Sequence, residues 1–179
     1  QANGDTPTAR TPGVGPNAGI REDNERRVRA DAAFVEASVR MGRVTLTPGL
    51  RHESIAYQRS NRLDGSRGES GLSQWIPGVG ATVEVTPTLS LFGGLHRGFA
   101  PPRVEDIIGS TGGSVELDAE LSWNTEIGLR WQPAQAIDLE IAAFDMDFSN
   151  QVVPSSLAGG SGATLTNGGR TRHRGLELG

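Results

Sequence analysis

The sequence lacks several features that mark common classes of protein. It has 179 residues and no cysteine, so a disulfide-bonded scaffold is excluded. Its 17 basic residues are all arginine, and its net charge of −4 argues against general nucleic-acid binding. No run of about 18 apolar residues occurs, which excludes a transmembrane helix. The opening residues, QANGDTPTAR, lack the charged and apolar regions of a signal peptide.

What the sequence has is glycine, with 25 residues, and segments in which polar and apolar residues alternate. The segment ELSWNTEIGLRW, residues 120–131, shows this alternation most clearly. Its apolar set is Leu121, Trp123, Thr125, Ile127, Leu129 and Trp131. Because successive side chains of a β-strand point to opposite faces, a period of two predicts a strand with one apolar and one polar face.

Seven segments of the chain have this period. They are residues 30–41, 43–57, 74–86, 89–99, 120–132, 137–148 and 168–178. Short turns (MGR, TPT and PAQA) alternate with long connections at about 59–73, 100–119 and 149–167, so we expect an all-β, antiparallel up-and-down meander of about seven strands. Residues 1–27 are rich in Gly, Pro, Asn and Asp, which predicts a loop or disordered segment.

The runs of apolar positions on one side of these segments, which end at Leu95 in the fourth and Ala143 in the sixth, contain no charged residue, whereas the opposite sides contain many. The apolar faces hold many Ala and Val, and Trp75, Trp123 and Phe99 lie beside long connections, with Trp131 beside a short turn. A charged side chain on a lipid-facing strand costs roughly 2–4 kcal/mol at mid-bilayer. The pattern therefore favours part of a transmembrane β-barrel over a soluble β-sandwich.

Two features interrupt the pattern. Pro48 and Pro77 lie inside predicted strands, where each removes a hydrogen-bond donor, so we expect a bulge or locally open pairing. Asp145 and Asp147 continue the apolar side of the sixth segment. About nine tilted residues from Ile137 already cross a bilayer, so we expect both Asp residues above the membrane, in a strand extension that leads into a loop.

Several stretches occur in an order that resembles TonB-dependent outer-membrane receptors, with the ferric-citrate and related siderophore branch most similar. They are RVTLTPGLRHE, PGVGATVEVTPTLSLFGGLHRGFAPP, ELSWNTEIGLRW, IAAFDMDFSNQ and TNGGRTRHRGLEL, within residues 28–179. The resemblance implies a barrel of about 22 strands with a plug domain, in the bacterial outer membrane. It implies a ferric siderophore such as ferric citrate as transported ligand, and the TonB complex as partner through an N-terminal part. Seven strands are about a third of such a barrel, so we expect a fragment or a truncated product.

The resemblance also implies roles for individual residues. In RGFAPP, Phe99 would lie at the outer membrane interface, and Pro101 and Pro102 would stiffen the start of an extracellular loop. Polar residues at alternating positions would line the lumen. This lumen-facing set is Arg51, Glu53, Glu120, Asn124, Glu126, Arg130 and Glu177.

Arginines in or beside the long connections are the best candidates for ligand contact. They are Arg97, Arg103, Arg170, Arg172 and Arg174. Guanidinium groups bind carboxylates through two parallel hydrogen bonds, so an anionic iron chelate is a suitable ligand. The alternative is that these arginines contact anionic lipopolysaccharide or remain solvated at the rim.

The sequence indicates no enzyme, cofactor or metal site. His52, His96 and His173 lack metal-ligand spacing, and GSRGES lacks the strand–turn–helix context of a nucleophile elbow. Three alternatives to a receptor remain open: a passive porin or adhesin barrel, a membrane-barrel protease or acyltransferase, and a soluble β-sandwich binding module.

Overall fold

The computed structural model describes residues 4–5, 10–11, 19–20, 23–109, 111–154, 157 and 165–179. Its elements in chain order are β1 (Gly4–Asp5), β2 (Arg10–Thr11), β3 (Gly19–Ile20), β4 (Asn24–Glu36), β5 (Val39–Met41), β6 (Val44–Asn61), β7 (Arg67–Thr86), β8 (Leu89–Ala100), α1 (Val104–Ile107), β9 (Glu120–Ala134), β10 (Ile137–Pro154) and β11 (Leu165–Leu178). The all-β prediction is confirmed, with α1 a single helical turn.

The strands form a meander in which each long strand pairs with its neighbours along the chain. The order in the main sheet is β1-β4-β6-β7-β8-β9-β10-β11, with β5 beside β6 and a separate pair formed by β2 and β3. The pairings for which the register is described are antiparallel. The short connections are tight turns; Gly42, for example, adopts a φ of 64° that a side chain would disfavour. The predicted antiparallel meander is therefore confirmed.

Several strands extend further than predicted. The strands β6 and β7 are joined by residues 62–66 alone, so the prediction of a long connection over about 59–73 is wrong. Asn61 and Ser66 close this hairpin through a 2.9 Å backbone hydrogen bond. Gln58 and Glu69, in contact at 3.2 Å, lie on the exposed face here, and the buried face includes Arg59 and Asn61. Polar residues thus occupy both faces, and the alternation that signals a strand is lost. Strand β4 also begins at Asn24, inside the segment predicted as loop, and β10 continues to Pro154.

Both internal prolines lie where a ladder is interrupted. Residues 37–38 separate β4 from β5 opposite Pro48, whose carbonyl oxygen accepts a 3.1 Å hydrogen bond from the Ala37 N–H. The ladder between β7 and β8 ends at the pair Gly78 and His96, immediately after Pro77 along β7. The expected local opening of the pairing is present at both positions, because proline offers no N–H to a neighbouring strand.

The chain divides into two compact units. Unit 1 comprises Gln1–Asp31, Ser54–Ser73 and Pro101–Asp118, and unit 2 comprises Ala32–Glu53, Gln74–Ala100 and Ala119–Gly179. Among its described residues, unit 1 has a small apolar core, with Ile107 and Ile108 only 1% and 0% exposed. The other core residues of unit 1 are Ile55, Tyr57, Val104 and Leu117. Unit 2 is an open sheet in which most large apolar side chains are exposed.

Candidate functional site

One face of strands β8, β9 and β10 in unit 2 carries polar and charged residues. The register pairs Gly94 with Glu126, and His96 with Asn124. Arg130 pairs with Ser90 on one side and Glu140 on the other. We call this side of unit 2 the polar face.

Arg130 is held in place by two contacts on the polar face. Its Nε donates a 2.6 Å hydrogen bond to Glu140 Oε2, and its guanidinium carbon lies 4.5 Å from the centroid of the Phe92 ring. Gly128 lies beneath that ring, and a Cβ at Gly128 would collide with Phe92 and with the Ile141 carbonyl oxygen. The absence of a side chain at Gly128 therefore lets the Phe92 ring lie against β9, where it stacks with the guanidinium group of Arg130.

The other residues of the predicted lumen-facing set make local contacts. Arg51 Nε donates to Glu53 Oε1 at 2.6 Å, and Glu120 Oε1 accepts from the Val152 N–H at 2.8 Å. Asn124 Nδ2 lies 3.1 Å from His96 Nε2, and Glu177 pairs with Ala142 across the β10–β11 ladder. These contacts connect near neighbours, and they do not converge on a single point as catalytic groups do.

An open cavity of about 600 Å³ lies at the short-turn end of unit 2. Its lining is polar and of mixed charge, including Arg43, Glu84, Arg130 and Asp138. A wall with charges of both signs suits water or the polar surface of another protein segment better than an apolar ligand.

The opposite face of unit 2 is apolar over a continuous band, which we call the apolar face. One row across four strands consists of Leu91, Leu129, Ile141 and Leu178. Ile127, Leu176 and Leu178 are 64%, 79% and 78% exposed. Soluble monomers rarely expose contiguous apolar surface on this scale, so this face requires an apolar environment.

Aromatic residues border the apolar band at both ends. Trp131 pairs with Leu89 and Leu139 near the short turns. At the other end of β9, Trp123 lies eight residues away, about 26 Å along the strand at ~3.3 Å per residue. With a strand tilt of about 40°, this spacing gives a band of roughly 20 Å, close to the apolar height of outer-membrane barrels. The His52 and Trp75 rings lie in contact on β6 and β7, 4.5 Å apart.

Beyond the apolar rows, charged residues occupy the same face. Arg170 donates to both carboxylate oxygens of Asp147, at 3.0 and 2.6 Å. Arg172 donates to both oxygens of Asp145, at 2.8 and 2.5 Å, and Arg174 Nε donates to Asp145 at 3.0 Å. These three arginines are more than half exposed. Asp145 and Asp147 do lie in a strand extension, as their position in the sequence predicts.

Arg97 lies on this face as well, opposite Trp123 in the β8–β9 register. Its guanidinium carbon is 5.0 Å from the centroid of the Trp123 ring. We call Arg97, Arg170, Arg172 and Arg174, together with Asp145 and Asp147, the charged tier. The sequence indicated these arginines as candidate ligand contacts because they lie in or beside the long connections. They lie on β8 and β11, within the segments predicted as strands, and on the side opposite to Arg130. Counting back in twos from Leu176 along β11 would have revealed this placement.

Arg103 is the remaining arginine of the predicted ligand set, and it lies in unit 1. It precedes α1 and donates through Nε to Asp106 Oδ2 at 2.9 Å. This hydrogen bond and the charge of Asp106 raise the pKa of Arg103 above its ordinary value. Its side chain remains exposed, so it can contact a ligand in solution.

Unit 1 contains buried polar groups that sequence analysis missed. Arg59 is buried, and its Nη1 donates a 2.5 Å hydrogen bond to the Ile108 carbonyl oxygen. The hydroxyl of Tyr57 is buried without a hydrogen-bond partner among the described residues, and burial raises the pKa of Tyr57. Arg26 contacts Glu105 at 3.4 Å. These contacts fix the segment after β8 in place, and no alternation in the sequence indicates them.

The part of the chain that the structure describes contains no candidate metal centre. No three metal-ligating side chains cluster there. The three histidines lie on different strands: His52 contacts Trp75, His96 contacts Asn124, and His173 contacts Phe148. No helix within the described ranges has the length and hydropathy needed to cross a membrane.

Comparison with known proteins matches the whole chain to one family. Residues 1–179 match the model described as TonB dependent receptor-like, beta-barrel. The unliganded ferric citrate transporter FecA superposes with a TM-score of 0.74 at 23% identity, over 92% of this chain and 24% of that chain. The ferric yersiniabactin uptake receptor FyuA from Yersinia pestis gives 0.67 at 20% identity, over 87% and 24%.

A third similar structure is the alcaligin outer-membrane receptor FauA from Bordetella pertussis. Its TM-score is 0.66 at 20% identity, over 88% of this chain and 28% of that chain. The chain thus spans about a quarter of the length of these receptors. At such identity the structural likeness establishes a shared fold.

Proposed function

The chain belongs to the TonB dependent receptor-like beta-barrel family, and from this premise we propose that it forms part of a bacterial outer-membrane receptor for TonB-dependent uptake of a ferric siderophore. The family is described as receptor-like, and we propose a role in transport for this chain rather than a catalytic one. The plug domain, the remaining strands and the contact with TonB belong to the proposed whole receptor.

The observation that carries this proposal is the separation of the two faces of unit 2. Arg130 and Glu140 form an ion pair on the polar face, while Leu129 and Ile141, their neighbours in the chain, belong to an exposed apolar row. Lipid would contact the apolar row and the lumen would contact the ion pair. A soluble β-sandwich would bury the apolar row instead, so this face speaks against that alternative.

The transported ligand would be an anionic ferric chelate, with ferric citrate as one example. The polar face, which includes Glu126 and Arg130, would line the path of such a chelate or support a plug domain, and we place Arg51 of β6 on the same side. Arg103 is the candidate contact with the chelate itself, because it is exposed and Asp106 holds its guanidinium group in one orientation. Energy would come through TonB, so the receptor needs no nucleotide and no catalytic residue.

Iron uptake by the full-length receptor tests this proposal. A host without its own ferric-chelate receptors would express the receptor, and accumulation of ⁵⁵Fe from a panel of ferric siderophores would be measured in the presence and absence of TonB. We expect TonB-dependent accumulation for at least one anionic chelate. Uptake that is equal without TonB would contradict the proposal and indicate a passive porin. Binding without uptake in either strain would indicate an adhesin.

A further inference from the structure

The charged tier lies directly beyond the apolar band on the same side of unit 2. On β9, Ile127 belongs to the apolar rows, and Trp123, four residues along, lies between Arg97 on β8 and Asp147 on β10. On β11, Arg174 precedes Leu176 by two residues, so the two side chains lie on the same face. Any molecule that covers this side must therefore offer an apolar part beside an anionic part.

Arginines of the charged tier have N–H donors that their carboxylate partners do not use. Arg170 and Arg172 each use Nε and Nη2 to hold a carboxylate, and the described residues include no acceptor at their Nη1 groups. A guanidinium group carries five N–H donors, so each arginine can bind a second anion while its carboxylate fixes its orientation. Asp145 and Asp147 thus order the arginines without saturating them.

The tier also has a positive charge that the described residues do not balance. Four arginines face two carboxylates, and four positive charges minus two negative charges leave a charge of +2. Arg97 has the aromatic face of Trp123 as its described contact, with no carboxylate within salt-bridge distance. The two surplus charges are compatible with an anion supplied from outside the chain.

We propose that the charged tier is a docking surface for phosphate-bearing lipid headgroups of the membrane leaflet at the long-loop end. The acyl chains lie on Leu95 and Ile127, and the phosphate accepts hydrogen bonds from Arg97 and from the unused edges of Arg172 and Arg174. This inference rests on the membrane placement in the proposed function. Of the two contacts that the sequence left open for these arginines, an anionic chelate or an anionic lipid, it assigns them to lipid.

Lipid titration tests the proposal. The full-length receptor in detergent would be titrated with phosphatidic acid, with phosphatidylcholine as zwitterionic reference, and bound lipids would be counted by native mass spectrometry. We expect phosphatidic acid to bind more tightly. The variant Arg97→Gln should weaken its binding roughly fivefold, and Arg172→Gln with Arg174→Gln roughly 25-fold, since each surface arginine contributes a factor of about five.

One control variant and one folding assay separate lost binding from lost folding. Arg40→Gln removes a matched ion pair, that with Glu84 at 2.7 Å, and should leave lipid binding unchanged. Arg97→Gln breaks no salt bridge, so it should fold normally, as judged by resistance to unfolding on an unboiled gel. Unchanged phosphatidic acid affinity in both the Arg97 variant and the Arg172/Arg174 variant would overturn the proposal.

Competitors distinguish lipid from other sources of phosphate. Full competition by millimolar inorganic phosphate would identify a site for free phosphate and overturn the lipid assignment. Loss of binding on chelation of divalent cations would show that a cation bridges the lipid to Asp145 and Asp147, which would overturn the role of the arginines. If the full-length receptor binds phosphatidic acid as predicted but shows no TonB-dependent uptake of iron, the proposed function is refuted and this inference stands.

Discussion

Unit 1 buries most of its large apolar side chains, whereas unit 2 exposes most of its own, although β6 and β7 contribute residues to both units. In unit 1, Ile107 and Ile108 are fully buried in the small apolar core. In unit 2, Ile127 and Leu176 are exposed on a regular apolar face. This difference is what the proposed membrane placement predicts. Burial lowers the free energy of an apolar side chain that would otherwise contact water, but it adds little for a side chain that already contacts lipid.

The comparison also shows what stabilises each unit. Unit 1 gains from burial, at about 25 cal/mol per Å² of apolar surface removed from water. Unit 2 gains from its ladders of backbone hydrogen bonds and from ion pairs such as that between Arg130 and Glu140. Substitutions that remove apolar volume should therefore act mainly in unit 1, and substitutions that add charge to the apolar face should act mainly in unit 2.

The largest effect is expected from emptying the core of unit 1. Ile108→Ala should lower the free energy of unfolding of this region by about 2–5 kcal/mol, because Ile108 is fully buried and its loss leaves a cavity. Hydrogen exchange of residues 104–118 in the full-length receptor measures it. Leu63→Ala, at an exposed position of the same unit, should change exchange little. Equal protection in both variants would show that the core contributes no stability.

A charge on the apolar face of unit 2 should have a nearly equal effect. Ile127→Arg should cost roughly 2–4 kcal/mol when the receptor is folded in lipid, because the guanidinium would face hydrocarbon. Urea unfolding in lipid vesicles measures the loss. Asn124→Arg places the same charge on the polar face of the same strand and should cost much less. Similar losses for the two variants would contradict the assignment of the faces.

An added methyl group beneath Phe92 should have a moderate effect. Gly128→Ala should destabilise unit 2 by about 1–3 kcal/mol, because the new Cβ would collide with the ring and with the Ile141 carbonyl oxygen. Gly94→Ala, where a Cβ meets only ordinary contacts, is the matched control on the same face. Unfolding in lipid compares them. A tolerated Gly128→Ala would show that the ring does not lie where the structure places it.

The smallest effect is expected at the hairpin of unit 1. The Ser66 backbone N–H donates to Asp64 at 2.8 Å, and this hydrogen bond lowers the pKa of Asp64 below its ordinary 3.8. Because the folded pKa is depressed, the contribution is present above the ordinary pKa and is lost as pH falls through the folded value. Protease cleavage of residues 61–67 should therefore increase on acidification below about pH 4. Asp64→Asn should remove this pH dependence, and a pH dependence that persists would assign it elsewhere.

The strands of unit 2 could be predicted because one face of each is apolar and the other is polar, so polar and apolar residues alternate with a period of two in the sequence. The sequence predicted the aromatic borders at Trp123 and Trp131 for the same reason. It failed at the strand ends beside the turn over residues 62–66, because the buried side of this hairpin carries the polar residues Arg59 and Asn61, and the sequence therefore shows no alternation there. The core of unit 1 could not be predicted either, because Ile108 contacts β6 and β7 through tertiary packing that no local pattern encodes.

Among the functional residues as well, alternation in the sequence placed some correctly, and the placement of others depends on strand register or on tertiary contacts. The polar-face residues Glu126 and Arg130 follow from the alternation, and the register places them on one side. Arg97 and Arg172 were placed by their nearness to loops in the sequence, whereas their orientation depends on the strand register. A contact such as that between Arg59 and Ile108 joins segments 49 residues apart and leaves no local signal.

Accessibility along β9 tests the central claim, that one face of unit 2 contacts lipid and the other an aqueous lumen. These 179 residues contain no cysteine, so single cysteines can be placed at residues 124–127, 129 and 130 and spin-labelled in the full-length receptor in vesicles, with any cysteine elsewhere in it replaced. Gly128 is left unlabelled because a side chain there would collide with Phe92. We predict that oxygen, which concentrates in lipid, relaxes labels at Thr125, Ile127 and Leu129, and that a water-soluble nickel complex relaxes labels at Glu126 and Arg130. Accessibility without a period of two, or nickel access on both faces, would contradict the account.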